Sequence, residues 1–502
     1  MMESDRAWES LKASVTELRD LRAVGGLLHW DENVWMPAGG AAARGRQKSV
    51  VARLRHQLLV DPKLGEALAA VGQSQDPQRQ AAARNLGRVR DRAVKTPASL
   101  VSERALASSE AFAAWRQARA SDDAALFAGP LARMVELARH ESACIGVGVH
   151  PYDALLDGYD PGLTLERVQA LFRPLERGLV ALLDGIRGAA PIAAAPVAMS
   201  TADQRRVFLR VLPALGFDLG RGRLDTAPHP FCMGMDPGDV RLTTRYDEAD
   251  LMSGLLGTIH EGGHGMYEQG LPGHLRGSTV DEAASTAMHE ANSRLWENRV
   301  GRSPQFLGWL AGVVAEETGI RLDLPALVAS CNRVEAGFIR VEADEVTYNL
   351  HILLRTRIEA ALLTGELSVD ELPGAWEEQS LALLGVRPPR PSLGHLQDVH
   401  WSQGLFGYFP SYTLGNLYAA SLFRRLEEDR PTVWECVAVG DFSPVLGFLR
   451  EHIHSVGHLY DGEELLARVA PGRDPVGDLL DSLRARQGAL YGVVQAGRAS
   501  GG

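Results

Sequence analysis

Cysteine is scarce in this chain of 502 residues, which carries only Cys144, Cys232, Cys331 and Cys436. The four lie far apart and form no CxxC pair. That excludes a disulfide scaffold and fits buried thiols in a reducing compartment. Lysine is scarcer still for its kind: it stands only at Lys12, Lys48, Lys63 and Lys95, and Arg fills every other such position. With Ala and Gly abundant, a GC-rich genome explains this imbalance more simply than an Arg-rich binding surface. Basic charge is also in deficit. The net charge of −11 is spread along the chain, which argues against nucleic acid or an anionic membrane as partner. No run of 18 apolar residues exists, and the nearest stretch, Ala189–Met199, is short and broken by prolines. The opening MMESDRAWES is charged and lacks an apolar signal core. These absences predict a soluble, cytoplasmic protein.

What remains is a chain that is 45% hydrophobic and 23% charged, enough to bury a large core. Ala, Leu, Arg and Glu, the strong helix formers, fill most of it. Val334 to Leu363 contains no Pro, spaces its apolar residues by three and four, and reads as one long helix. Strand-like signal is scarce and is best around Asp239–Tyr246 (DVRLTTRY), after a Pro237-Gly238 turn, where it predicts a small sheet edge near an active site. Breaks fall at 188–196, at 387–391 (RPPRP) and in the Gly-rich end. None is long or polar enough for a flexible linker, and no repeat is present. The expectation is a mainly α protein with one large helical domain: N-terminal helices to about residue 200, catalytic helices and a short sheet over 201–496, and a disordered tail at 497–502.

The segment Leu251–Gly270 holds the motif His260-Glu261-Gly262-Gly263-His264. On a helix, His260 and His264 lie one turn apart on one face, so two imidazoles can bind one metal ion. Glu261 is offset from them and can act on a water held by the same ion. The preceding turns are apolar, which points the histidines inward. Gly262 and Gly263 cost about 1 kcal/mol each relative to Ala inside a helix, so a close approach by another backbone or a substrate is expected there. A third ligand is required, with one position left open. The next helical stretch, Asp281–Asn298, offers Glu282, His289, Glu290 and Glu297. This segment alone does not separate Glu290 from His289, and a Glu at 290 could equally pair with Arg294 four residues on.

Six stretches together carry a resemblance to a known family: HPF at His229, DVRLT at Asp239, HEGGH at His260, HEANSR at His289, IRVEAD at Ile339 and GHLQDVHW at Gly394. WDENVWMPAGGAAARGRQ from Trp30 adds to it. In these the chain resembles the carboxypeptidase Taq family of metallocarboxypeptidases over essentially its whole length. The resemblance implies Glu290 as the third ligand, an almost wholly helical fold with a deep central groove, and a homodimer. One departure is visible: Ala291 and Asn292 stand where the family commonly has Ser and Gln after the Glu.

The resemblance also implies roles elsewhere. His400 and Tyr412 would donate hydrogen bonds to the oxyanion, with Tyr408 nearer the substrate's C-terminus. Arg340 or Arg241 would bind the free carboxylate, since the Arg fork matches two oxygens. The competing reading for Arg340 is a structural ion pair with Asp344 on one helix face. His229 would line the groove. The expected activity is release of single C-terminal residues from peptides with broad specificity. The metal would be zinc, with cobalt also acceptable to two His and a carboxylate. An oligopeptidase or dipeptidyl carboxypeptidase of similar fold is the nearest alternative, and an inactive metal-binding scaffold is the alternative of another class.

Overall fold

A computed structural model of the protein describes residues 3–493, so the tail expected to be disordered, 497–502, lies outside the described residues. Helices dominate, and among the described residues strands are confined to one small sheet. Among the described residues no helix is long and apolar enough to cross a membrane. The chain divides into two compact units, each drawn from three stretches. The first comprises Met1–Val94, Ala195–Cys331 and Leu422–Gly472, and the second Lys95–Ala194, Asn332–Ser421 and Arg473–Gly502.

In the first unit the N-terminal helices pack around Leu11, Val15, Leu18, Leu59, Leu64, Val71 and Leu86. Arg88 ties them to a distant part of the chain with two bonds of 2.7 and 2.8 Å to the Asp461 carboxylate, and Asn85 adds a 2.8 Å bond to the His458 carbonyl. The sheet of this unit has strands β1 (Gly222–Thr226), β2 (Cys232–Asp236) and β3 (Asp239–Thr244). β3 lies in the middle, parallel to β1 and antiparallel to β2. The predicted strand therefore exists, ending at Thr244. The Pro237-Gly238 turn before it is closed by the Asp236 carboxylate, which accepts from the Gly238 N–H at 2.9 Å.

The HEGGH helix spans Leu251–Gly270, and its first turn is capped by the Asp250 side chain, which accepts from the Met252 N–H. The sheet packs on it: Thr244 Oγ1 and Thr258 Oγ1 are 2.7 Å apart. The two costly glycines have steric reasons. A Cβ on Gly263 would stand 2.7 Å from Ser293 Cα and 2.9 Å from the Asn292 carbonyl oxygen. The backbone of the next helix, Thr286–Arg294, thus occupies the space a side chain would need. A Cβ on Gly262 would meet Leu212 at 2.8 Å.

The second unit is organised around the helix Thr347–Thr364, which is buried over most of its length. The long helix expected over Val334–Leu363 does not form as one piece. Residues 333–339 are irregular, a short turn covers Arg340–Glu342, and the helix starts only at Thr347. Asp344 is the reason. Its carboxylate accepts from the Val346 and Thr347 N–H groups at 2.8 and 3.0 Å, supplying partners that a helix start leaves open. Arg340 and Asp344 therefore share no helical face and form no ion pair with each other.

Gly263→Ala should lower folding stability by about 1–3 kcal/mol, because the added methyl overpacks a backbone contact. A methyl group on Gly257, in the same helix, would meet nothing within 4 Å. Gly257→Ala should stabilise by up to about 1 kcal/mol. Denaturant midpoints of the two variants measured side by side check the contrast.

Candidate metal centre

Ser285 caps the helix Thr286–Arg294 by accepting from the Met288 N–H, and that helix presents Glu290 to the HEGGH histidines. Glu290 Oε2 lies 3.6 Å from His260 Nε2 and 3.4 Å from His264 Nε2. One ligand atom from each of His260, His264 and Glu290 falls within 4.8 Å of the others. The two rings are nearly perpendicular, at 86°. Two imidazole nitrogens and one carboxylate oxygen converging in this way fit a divalent ion with one position left open.

The opposite edge of each ring is engaged. His260 Nδ1 is 2.9 Å from Glu297 Oε2, and His264 Nδ1 is 2.6 Å from His289 Nδ1. His289 Nε2 is in turn 2.9 Å from Glu268 Oε1. Both rings are thereby oriented with Nε2 toward Glu290. Glu297 reaches its place from a π-helical turn, Leu295–Gly301, that follows the Glu290 helix. The alternatives weighed for the third ligand thus separate in space: Glu290 faces both Nε2 atoms, whereas His289 and Glu297 sit behind the rings. Glu282 pairs with Arg22 at 3.2 Å. Glu290 also takes the expected helix partner, with Arg294 Nε donating to its Oε1 at 2.6 Å while Oε2 faces the two histidines.

The electrostatics follow from burial. Burial raises the pKa of Glu290, but the charges of Arg294 and His260 outweigh it and hold the carboxyl well below the usual range. Burial pulls His264 down to about 4, leaving it neutral as a ligand must be. Burial pushes Glu261 up to about 7, with His260 acting against the rise and Glu290 adding to it. A carboxyl poised there suits proton transfer near neutral pH.

Arg241 and His229 belong to this unit. Arg241, on β3, is held bidentate by Asp239 at 2.8 and 2.9 Å, and its guanidinium carbon lies 4.5 Å from the Trp30 ring centroid. His229 is exposed in the bend between β1 and β2.

The remaining sequence-predicted residues gather in the second unit around a largely, though not fully, buried carboxylate, Asp398. One of its oxygens accepts from Arg340 Nε and Nη2 at 3.0 and 2.8 Å, and the other from Arg355 Nε at 2.6 Å. Arg340 also donates to the Tyr348 hydroxyl at 3.1 Å and lies 5.1 Å from the Tyr412 ring centroid. His400 Nε2 is 3.2 Å from the Tyr412 hydroxyl. Tyr408 packs edge-on to Tyr412, with ring centroids 5.2 Å apart. Burial drives His400 down to about 3, with the Arg340 and Arg355 charges adding to the fall, so the ring is neutral.

Sequence reasoning missed Asp398, Arg355, Glu268 and the placement of Glu297. Asp398 was visible inside GHLQDVHW and Glu268 inside the HEGGH segment, but neither spacing reveals a partner far along the chain.

A catalytic-type glutamate beside a His, His, Glu donor set is the arrangement of a metallopeptidase. The pattern of the carboxypeptidase Taq (M32) metallopeptidases matches residues 10–486. Thermostable carboxypeptidase 1 of Thermus thermophilus is 41% identical, over 98% of this chain and 100% of that one. Carboxypeptidase 1 of Bacillus subtilis is 32% identical, over 93% of this chain and 95% of that one. The crystal structure of the M32 carboxypeptidase from Deinococcus radiodurans R1 superposes with a TM-score of 0.93 at 33% identity, covering 97% of this chain and 100% of that one. The chain belongs to the carboxypeptidase Taq (M32) family, and is a metal-dependent carboxypeptidase acting on peptides.

Asp398→Ala should cost about 3–5 kcal/mol of stability, because it leaves two buried guanidinium groups without their anion. Burial opposes ionisation of Asp398, but the Arg340 and Arg355 charges outweigh it and lower its pKa. The sign follows: the wild-type stabilisation is present above the ordinary Asp pKa of about 4 and fades only as acid protonates the folded protein. Denaturant unfolding of both proteins at neutral pH and in acid should show the gap between them narrowing as pH falls.

Proposed function

We propose that this protein is a zinc carboxypeptidase that removes single C-terminal residues from peptides with broad specificity, with His260, His264 and Glu290 as the metal ligands. The observation that carries the reading is the convergence of His260 Nε2, His264 Nε2 and Glu290 Oε2 beside the buried Glu261. A bound divalent ion supplies a Lewis acid and an acidified water; cobalt suits the same donors. Glu261 accepts the proton of the attacking water and returns it to the leaving amine. His400, neutral, and the Tyr412 hydroxyl donate hydrogen bonds to the oxyanion, and Tyr408 lies toward the substrate's C-terminus.

An exopeptidase needs a cation for the free carboxylate. Arg340 is the first choice: three contacts to Asp398 and Tyr348 leave part of its five-donor fork unspent. Arg241 is the second, and His229 lines the substrate path. A cytoplasmic homodimer completes the reading, which sedimentation equilibrium tests in its second part.

Glu261→Gln should retain one metal ion per chain and lose nearly all turnover, since an amide cannot take the water's proton. Metal analysis and single-turnover kinetics on the same sample check this, and near-normal kcat would remove Glu261 from its role. His260→Ala, His264→Ala and Glu290→Ala should each lose most of the metal.

Amidating the C-terminus of a peptide should lower kcat/KM by about 30- to 150-fold, the equivalent of about 2–3 kcal/mol for an Arg-carboxylate contact. Arg340→Ala should erase most of that difference between free and amidated peptides. Equal cleavage of both by the intact enzyme would favour the oligopeptidase reading instead.

A further inference from the structure

The two histidines of the centre are supported unequally. His260 Nδ1 meets a carboxylate directly, Glu297 at 2.9 Å. His264 Nδ1 meets another imidazole, His289 at 2.6 Å, and the carboxylate, Glu268, stands one ring further back at 2.9 Å. Two imidazole nitrogens at hydrogen-bond distance must divide the roles, one donating and one accepting.

The metal decides which. If His264 is to offer the Nε2 lone pair, its proton sits on Nδ1. His264 Nδ1–H then donates to His289 Nδ1, which must carry a lone pair. His289 consequently holds its own proton on Nε2 and donates it to Glu268 Oε1. Glu268, ionised, has no proton to give and can only accept. One carboxylate at the end of the chain therefore sets both tautomers in series. With Glu268 absent, His289 is free to carry its proton on Nδ1, which faces His264 Nδ1–H and forces that ring to turn or to move its proton onto the metal-facing nitrogen.

The surroundings hold the relay in place. The Glu268 carboxylate fills the space beside Gly234 on β2 that a side chain there would take. Tyr267 packs on the His289 ring with centroids 5.2 Å apart. Glu268 lies on the HEGGH helix itself, one turn beyond His264, so helix geometry sets their spacing while His289 comes from the Glu290 helix.

We infer that Glu268 and His289 form a two-residue positioning relay that fixes the tautomer and orientation of His264 for metal binding. The inference rests on His264 being a ligand through Nε2. Removing an outer partner of a ligating histidine typically weakens metal binding about 10- to 100-fold.

The test is zinc affinity, measured on the full chain after removal of metal, by competition with a chromophoric chelator. Glu268→Ala and His289→Ala should each raise the zinc Kd about 10- to 100-fold. The double variant should bind no more weakly than the weaker single variant, because both residues act along one chain of bonds. Thermal unfolding of the metal-free proteins reports folding independently. Glu268→Gln, which keeps the shape and loses the charge, is measured beside the alanine variant and should weaken binding in the same direction. Wild-type affinity in both Glu268 variants, or losses that multiply in the double variant, would overturn the relay. His264→Ala separates the two levels. Undiminished zinc in that variant rejects His264 as a ligand, whereas loss of zinc there with normal affinity in the Glu268 variants rejects the relay alone.

Discussion

At Gly263 the backbone of the HEGGH helix comes so close to the helix Thr286–Arg294 that a methyl group would press on Ser293 Cα and the Asn292 carbonyl. The geometry of the candidate metal centre depends on that approach. It lets Glu290, a short distance along the second helix, extend one oxygen between two histidine Nε2 atoms. A glycine in a helix interior weakens the helix by about 1 kcal/mol relative to Ala. Here the loss is offset by a contact between backbones that no other residue permits.

The same approach crowds charge into a buried space, and the protein answers with paired groups. Glu290 is shared between Arg294 on one oxygen and the histidines on the other. Glu297 is shared among His260, Arg294 and Arg302. In the second unit Asp398 divides its oxygens between Arg340 and Arg355. Buried pairs of this kind add little net stability over apolar packing, yet losing one member is severe. Their return is orientation: each functional side chain is held by a partner that is itself held, and preorganised donors and acceptors are what catalysis at a metal requires.

The metal-binding pattern and the helical character could be foreseen because both are written in local patterns, whereas the carboxypeptidase activity was expected only through the resemblance that the six motifs carry. His260, Glu261 and His264 lie within one helical turn, so their relation follows from the geometry of a helix alone. The sheet strand after Pro237-Gly238 was legible for the same reason, as turn chemistry acts over a few residues. The long helix over Val334–Leu363 was misread because periodicity does not register a cap. Asp344 satisfies the N–H groups of Val346 and Thr347 and makes Thr347 a helix start.

Whatever depends on neighbours along the chain could thus be read without a structure: the two histidines, the glutamate between them, the turn, the helical character, and the six motifs that mark the family. The partners of these groups come from packing instead. Glu290, His289 and Glu297 share one helical segment and similar chemistry, and their roles diverge because the packing of two helices puts one carboxylate before the imidazoles and the other two groups behind them. Asp398 stands 58 residues from Arg340 and 43 from Arg355. A hydrogen bond forms between atoms about 3 Å apart whatever the length of chain between them, so no spacing in the sequence could have named that partner.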